Sequence, residues 1–409
     1  MNTLSESRLD NGVQIITRHS PACHSAALGI WLVNGARHQQ TGQSGYAHLL
    51  EHLVFRRTQR YTGKQLSELF ESMGGNINAQ TGRELTAYHG LVPGDAVYRL
   101  VDLFASMLLE PAFTEADIEI EREVVLQELA MLHDDPEEFL EDTGSEIVWG
   151  QHPMGWQILG DSKTLRSTTA AHMHDYLASL LDPARILVVA TGNVNHEKLC
   201  EACKPFSRLT ASAQTHGITR PEFRKDRRHF PQDLEQNHLL WLMPGPSARN
   251  EELIPGIIAN HMLAGGVSSR LYQQLREDLG LVYSIQSRID PYSDTGLWLI
   301  QTSSDPEQAG RCREQSQQII SQLCREGPSD SELEQAREHI SASLLIEEDD
   351  LEASMERIAR EIMYLGRIQT LEEKLDLLAH TGRNEVQLAI ETAWKQHAFF
   401  SMGPGDGIS

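Results

Sequence analysis

Three ionisable side chains crowd one turn of an otherwise apolar segment. AHLLEHLVF, residues 47–55, carries His48, Glu51 and His52 among Leu49, Leu50, Leu53 and Val54. Helical positions four apart lie on one face, so His48 and His52 can aim imidazole nitrogens at one point, a spacing suited to zinc. Glu51 stands about 100° around the helix from His52, close enough to reach a water on such a metal without displacing it. There it could act as general base and then general acid. A lone HxxEH can also be two structural histidines on a half-buried helix. A second segment, EIEREVVLQELAMLHDD, changes the balance. Glu121 and Glu128 are seven apart, on one face of a second helix, beside Val124, Val125 and Leu129. Carboxylates in such surroundings are costly unless they are paired or bound to a metal. Glu128 would complete a two-His, one-Glu set with an open fourth position, the pattern of a catalytic zinc, one Zn²⁺ per chain. Glu121 would then stand behind the ligands and orient a histidine through its other ring nitrogen.

The elements that must position these residues follow from periodicity. NGVQIITRH and SAALGIWLVNGAR read as strands, and SGYAHLLEHLVF as a helix with Ser44 expected at its N-cap. GKQLSELFESM is an amphipathic helix. GGNINAQT and ELTAYHGLV are strands either side of a turn at Gly82. Two glycines before an alternating strand suggest an edge whose backbone can be approached closely, and an unpaired edge can take an extended peptide as an added strand. Long helices follow, one starting at Thr114 and another in EEFLEDTGSEIVW, and then the apolar strand RILVVATGNV. The stretch from Pro205 to about Asp233 is polar, basic and aperiodic, a candidate linker. Beyond it the pattern restarts with NHLLWLMPG, the helices IPGIIANHMLAGG and SSRLYQQLRE, and the strands LVYSIQSRI and GLWLIQTSS. TEADIEIERE and SDSELEQARE occupy equivalent places, so the chain reads as an internal duplication. Aligning Arg122 with Arg337 puts Ala336 and Ser343 where the first half has Glu121 and Glu128, so only the first half can hold the metal. The expected class is α+β. Residues 1–208 form the metal-binding domain, 209–230 a polar linker, and 231–409 a homologous domain without the metal motif.

The totals bound the rest. The 409 residues carry a net charge of −23, which argues against nucleic acid, since phosphate binding needs a basic footprint. A basic peptide would be the electrostatically favoured ligand. No apolar run is long enough to span a membrane, and the start has no secretory signal, so a cytoplasmic address is expected. Five sparse cysteines do not make a disulfide framework, and Cys200 and Cys203 in CEAC read as thiols on a helix surface. The acidic runs HDDPEEFLED and IEEDDLE read as solvated helix faces.

HLLEH is the inverted zincin order, and ExxxxxxE follows it at a fitting distance. With LDNGVQIIT, GGNINAQTGRELTAY, FTEADIEIEREVVLQEL, DDPEEF, HPMGWQILG and LREDLGLVYS, the chain resembles from end to end the pitrilysin-like peptidases. That family includes mitochondrial processing peptidase and insulin-degrading enzyme, and the likeness is greatest to its short bacterial two-domain members. The resemblance implies two homologous domains, each an antiparallel-rich mixed sheet with helices packed on it, the processing-peptidase-like or LuxS-like fold. It implies His48, His52 and Glu128 as zinc ligands, Glu51 as catalytic base and Glu121 as their support. It further implies that Asn78 and Ala79 grip the substrate backbone, and that Arg276 and Tyr283, which packing alone would leave as surface residues, stabilise the oxyanion. Trp156 stands where the family carries a small polar or basic residue, and it is left outside the site. The implied activity is cleavage of short or unfolded peptides in a chamber formed by two chains, a homodimer or a heterodimer with an inactive homologous subunit. Two other roles belong to the same family: a dedicated processing protease for one small natural-product or cofactor precursor, and a non-catalytic core or scaffold subunit. Scaffold members typically lose the metal residues that this chain keeps.

Overall fold

The computed structural model describes residues 3–211 and 217–405, so positions 212–216 of the expected linker lie outside the described residues. The chain divides into two compact units. One is drawn from Met1–Ala130, Trp156–Ile218 and Ile346–Ile368, the other from Met131–Gly155, Thr219–Leu345 and Gln369–Ser409. Most of each half of the chain falls in one unit, but two helical segments are exchanged.

The first unit is built on β1 (Thr3–Arg8), β2 (Gln14–His19), β3 (Ser25–Leu32), β4 (Asn76–Thr81), β5 (Thr86–Pro93) and β6 (Ile186–Gly192). They lie in the order β1-β2-β6-β3-β5-β4, with β2 and β6 parallel and every other neighbour antiparallel. β4 is therefore an edge. β3 and β6 are apolar on both faces because both faces are covered. Leu28, Ile30 and Val188 join the core formed with helices α1 (Tyr46–Val54), α2 (Gly63–Ser72), α3 (Val97–Leu109) and α4 (Glu115–Asp134). On the other face Ala27, Trp31, Leu187 and Val189 meet Met355, Ile358 and Ala359 of the helix Leu351–Leu365.

The second unit repeats the plan with β7 (Arg227–Pro231), β8 (Asn237–Gly245), β9 (Ile285–Pro291), β10 (Gly296–Ser304) and β11 (Ala398–Gly403), ordered β7-β11-β8-β10-β9. Helix α5 (Pro136–Trp149) covers one face, packing Leu140, Val148 and Trp149 on Leu240, Leu242 and Phe400. Gly144 permits the close approach, since a Cβ there would stand 3.0 Å from Leu242 Cδ1.

The duplication extends to individual hydrogen bonds. Thr114 and Asp117 cap each other at the start of α4, as Ser329 and Glu332 do at the start of the helix Asp330–Glu347. Arg122 donates to the Thr168 carbonyl and Arg337 to the Thr381 carbonyl. Asp135 accepts from the backbone N–H groups of Glu137 and Glu138, and Asp350 from those of Glu352 and Ala353. These two solvent-exposed aspartates of the acidic runs are also N-caps, starting the two exchanged helices. The CEAC expectation needs correcting: Cys203 is fully buried in the first core, where burial pushes its thiol pKa up. SSRLYQQLRE is not an ordinary α-helix either, because residues Tyr272–Asp278 wind as a π-helix. Among the described residues no helix is long and apolar enough to cross a membrane.

Candidate metal centre and active site

α1 is anchored by one face. Leu49, Leu50, Leu53 and Val54 are buried to within 1%, each side chain contributing about 1.5–3 kcal/mol. That packing lets the opposite face carry ionisable groups. The expected cap at Ser44 does not form. Gly45 takes the N-cap position at φ +84, and the Ser44 hydroxyl bonds Asp161 instead. The Gln39 side-chain carbonyl accepts from the N–H groups of Tyr46 (2.7 Å) and Ala47 (3.4 Å). Only glycine fits at 45: a Cβ there would lie 2.7 Å from the Leu159 carbonyl, and one on Gly160 would lie 2.4 Å from Gly45 Cα. The end of HPMGWQILG therefore holds the entry of the ligand helix, while the Trp156 carbonyl accepts from Arg83.

His48, His52 and Glu128 each offer a ligand atom, all within 4.8 Å of one another, the only such cluster among the described residues. Glu128 Oε2 is 3.7 Å from Nε2 of His48 and 3.7 Å from Nε2 of His52. Tetrahedral zinc with bonds of about 2.0–2.2 Å puts ligand atoms about 3.3–3.6 Å apart, so small side-chain shifts bring Glu128 into ligating position. His52 Nδ1 donates to Glu121 Oε2 at 3.0 Å, which leaves Nε2 as the metal-facing nitrogen. Glu121, 8% exposed, also pairs with Arg56 at 3.3 Å. Arg56 reaches Asp117 at 3.8 Å, and Arg57 reaches it at 3.5 Å.

The electrostatics fit a cation. Burial, then the neighbouring His52, lowers the His48 pKa to about 4, so it is neutral and ready to ligate. For His52 burial pulls down, but the Glu121 hydrogen bond and the charges of Glu128, Glu121 and Glu51 outweigh it and raise the value. Burial raises the Glu51 pKa, although a hydrogen bond from Thr81 and the nearness of His52 oppose it. Three carboxylates around two imidazoles, one already paired with Arg56, leave negative charge that a divalent ion would balance.

These residues line an open cavity of about 920 Å³, whose wall includes Phe55, Ile77, Asn78 and Ala79. Asn78 and Ala79 thus stand on the edge strand beside the metal-ligating set. The Ala79 N–H donates to Asn78 Oδ1 at 2.9 Å. In the second unit, the Arg276 guanidinium lies over the rings of Tyr272 (4.8 Å) and Tyr283 (5.2 Å), and Tyr283 is 79% exposed.

The second unit keeps a trace of the same site. The buried positions of α1 recur in the helix Leu253–Ala264 as Pro255, Gly256, Ile258, Ala259, Met262 and Leu263. Matching them puts Ile257, Asn260 and His261 where α1 has His48, Glu51 and His52. With Ala336 and Ser343 in place of the two glutamates, one imidazole survives, stacked on His339 at 4.4 Å.

Two family descriptions match the chain. Residues 14–162 match the family described as Insulinase (Peptidase family M16), and residues 167–340 match its Peptidase M16 inactive domain. The chain is 30% identical to an uncharacterized zinc protease of Bacillus subtilis, YmxG, over 97% of this chain and 98% of that one. It is also 30% identical to an uncharacterized zinc protease of Mycobacterium tuberculosis, Rv2782c, over 94% and 87% of the two chains. In fold it is similar to a protease from Helicobacter pylori (TM-score 0.91, 18% identity, 99% and 100% covered). It is similar as well to a Pseudomonas fluorescens structure described as a peptidase M16 inactive domain (TM-score 0.89, 16% identity, 98% of each). The chain belongs to peptidase family M16.

Proposed function

We propose that the protein is a zinc-dependent endopeptidase acting on short or unfolded peptides. The observation that carries this reading is the convergence of His48, His52 and Glu128 with the Glu51 carboxylate in one cavity bordered by an edge strand. His48, His52 and Glu128 would hold the metal, and Glu121 fixes the tautomer and direction of His52. Zinc there would supply a Lewis acid that polarises the peptide carbonyl and makes water easier to deprotonate. Glu51 takes the proton of the attacking water and returns it to the departing amine nitrogen. β4 receives the peptide as an added strand, with main-chain hydrogen bonds at Asn78 and Ala79 supplying affinity that is largely indifferent to side chains. Arg276 and Tyr283 act as donors to the oxyanion; their adjacency supports treating them as one element. The working form is a homodimer, since one chain carries two units of the fold and both sets of residues.

A cleavage profile of the zinc-loaded protein against a mixed peptide library tests the reading. Cuts are expected in many sequences, with folded proteins left intact; a chain with one zinc that cuts no peptide would refute it. Tyr283→Phe is expected to lower kcat by about 10²-fold, as loss of an oxyanion donor does. An unchanged kcat in steady-state assays would remove Tyr283 from the site.

A further inference from the structure

The Glu51 carboxylate is held by a group that metal hydrolysis does not itself require. The Thr81 hydroxyl donates to Glu51 Oε2 in a short contact. Thr81 is the last residue of β4, and along that strand burial alternates, with Ile77, Ala79 and Thr81 turned inward. Ile77 and Ala79 pack against the apolar core, so Thr81 is the polar member of an otherwise apolar row. Its backbone is firmly placed. Thr81 pairs with Thr86 in register, the Gly82 N–H donates to the Leu85 carbonyl at 2.8 Å, and the Arg37 N–H donates to the Arg83 carbonyl at 2.8 Å.

We propose that Thr81 is a positioning residue: its hydroxyl fixes one oxygen of Glu51 and ties the proton carrier to the strand that receives the peptide. The proposal rests on the peptidase reading. A glutamate side chain has a broad terminal torsion, and burial alone does not choose its orientation. With Oε2 held by Thr81, Oε1 is the oxygen directed to a water. Because β4 also carries Asn78 and Ala79, base and scissile bond then share one rigid frame, which is the condition for a near-attack geometry. The methyl group of Thr81 is not needed for this; the hydroxyl is.

The test uses the full-length zinc-loaded protein and a fluorogenic peptide that the wild type cleaves. Thr81→Val, which keeps the shape and removes the donor, is expected to lower kcat by about 10- to 100-fold, the range for a hydrogen bond to a charged group. KM should stay within about twofold, with zinc content and melting temperature unchanged. Thr81→Ser should retain kcat within about threefold. Thr81→Ala is the second variant should Thr81→Val not fold, with the same loss in kcat expected. Wild-type kcat in Thr81→Val or Thr81→Ala would overturn the proposal. So would a loss in which KM, zinc content and melting temperature move together, or a Thr81→Ser variant as slow as Thr81→Val. A wild type that binds zinc and cuts no peptide sinks the peptidase reading and this proposal with it. An active wild type beside an unimpaired Thr81→Val sinks only the role of Thr81.

Discussion

Glu51→Gln is expected to lose turnover by about 10³-fold or more while keeping one zinc per chain. General base catalysis contributes about 10²–10⁴-fold, and the amide has nearly the same shape as the carboxylate but cannot take the proton. The ligands are spared, because His48, His52 and Glu128 do not depend on Glu51 for their placement: α1 is fixed by Leu49, Leu50, Leu53 and Val54, and His52 by Glu121. Thr81 can still donate to the carbonyl oxygen of the substituted amide, so the side chain stays in position and the effect isolates proton transfer. The wild-type pH profile should agree. Burial raises the Glu51 pKa in the metal-free site, a bound divalent cation would lower it, and the base works only when ionised. Activity should therefore fall on the acid side as Glu51 takes up a proton, and this limb should be absent from the residual rate of Glu51→Gln. Paired measurements of kcat and bound zinc decide the matter. More than about a tenth of wild-type turnover in Glu51→Gln, with zinc bound, would exclude Glu51 as the base.

What could be read from the residues was what depends on local helix and strand geometry. The i, i+4 histidines and the i, i+7 glutamates form faces by helical period alone, and the structure brings the two faces together. The β4–β5 hairpin around Gly82 was equally legible, as was the duplication, whose repeated caps sit at Thr114 and Ser329 and at Asp135 and Asp350. What could not be read depends on distant partners. Ser44 had the composition of a cap, but Gln39 does that work from outside the helix, and the Leu159 carbonyl leaves no room for any residue but glycine at 45. The apolar stripe of α5 announces that it covers a sheet without saying which one, so its place in the second unit, like that of Leu351–Leu365 in the first, was invisible. Thr81 carried a faint signal: a hydroxyl in the inward row of an alternating strand. The π-helical winding around Arg276 left no mark in the periodicity.

Glu128→Ser should release the metal without unfolding the chain, and the duplication says why. Ser343 occupies the matching place in the second unit, where its hydroxyl bonds back to the His339 carbonyl within the same helix. A serine is therefore compatible with this helix at this turn. Glu128 itself is 38% exposed at the side chain, so its removal opens no core cavity. Its loss leaves two imidazoles and no charged ligand. Dividing the roughly 10–16 kcal/mol of a structural zinc site over four ligands gives about 2.5–4 kcal/mol for each, or about 10²- to 10³-fold in affinity. Peptide cleavage should fall at least in proportion at limiting zinc and recover only partly at high zinc. Metal content after dialysis and a competitive chelator titration provide the readout, with thermal melting as the control for folding. Wild-type zinc affinity in a folded Glu128→Ser variant would mean that the third ligand comes from elsewhere. The two-His, one-Glu centre, and with it the geometric basis of the peptidase reading, would then have to be abandoned.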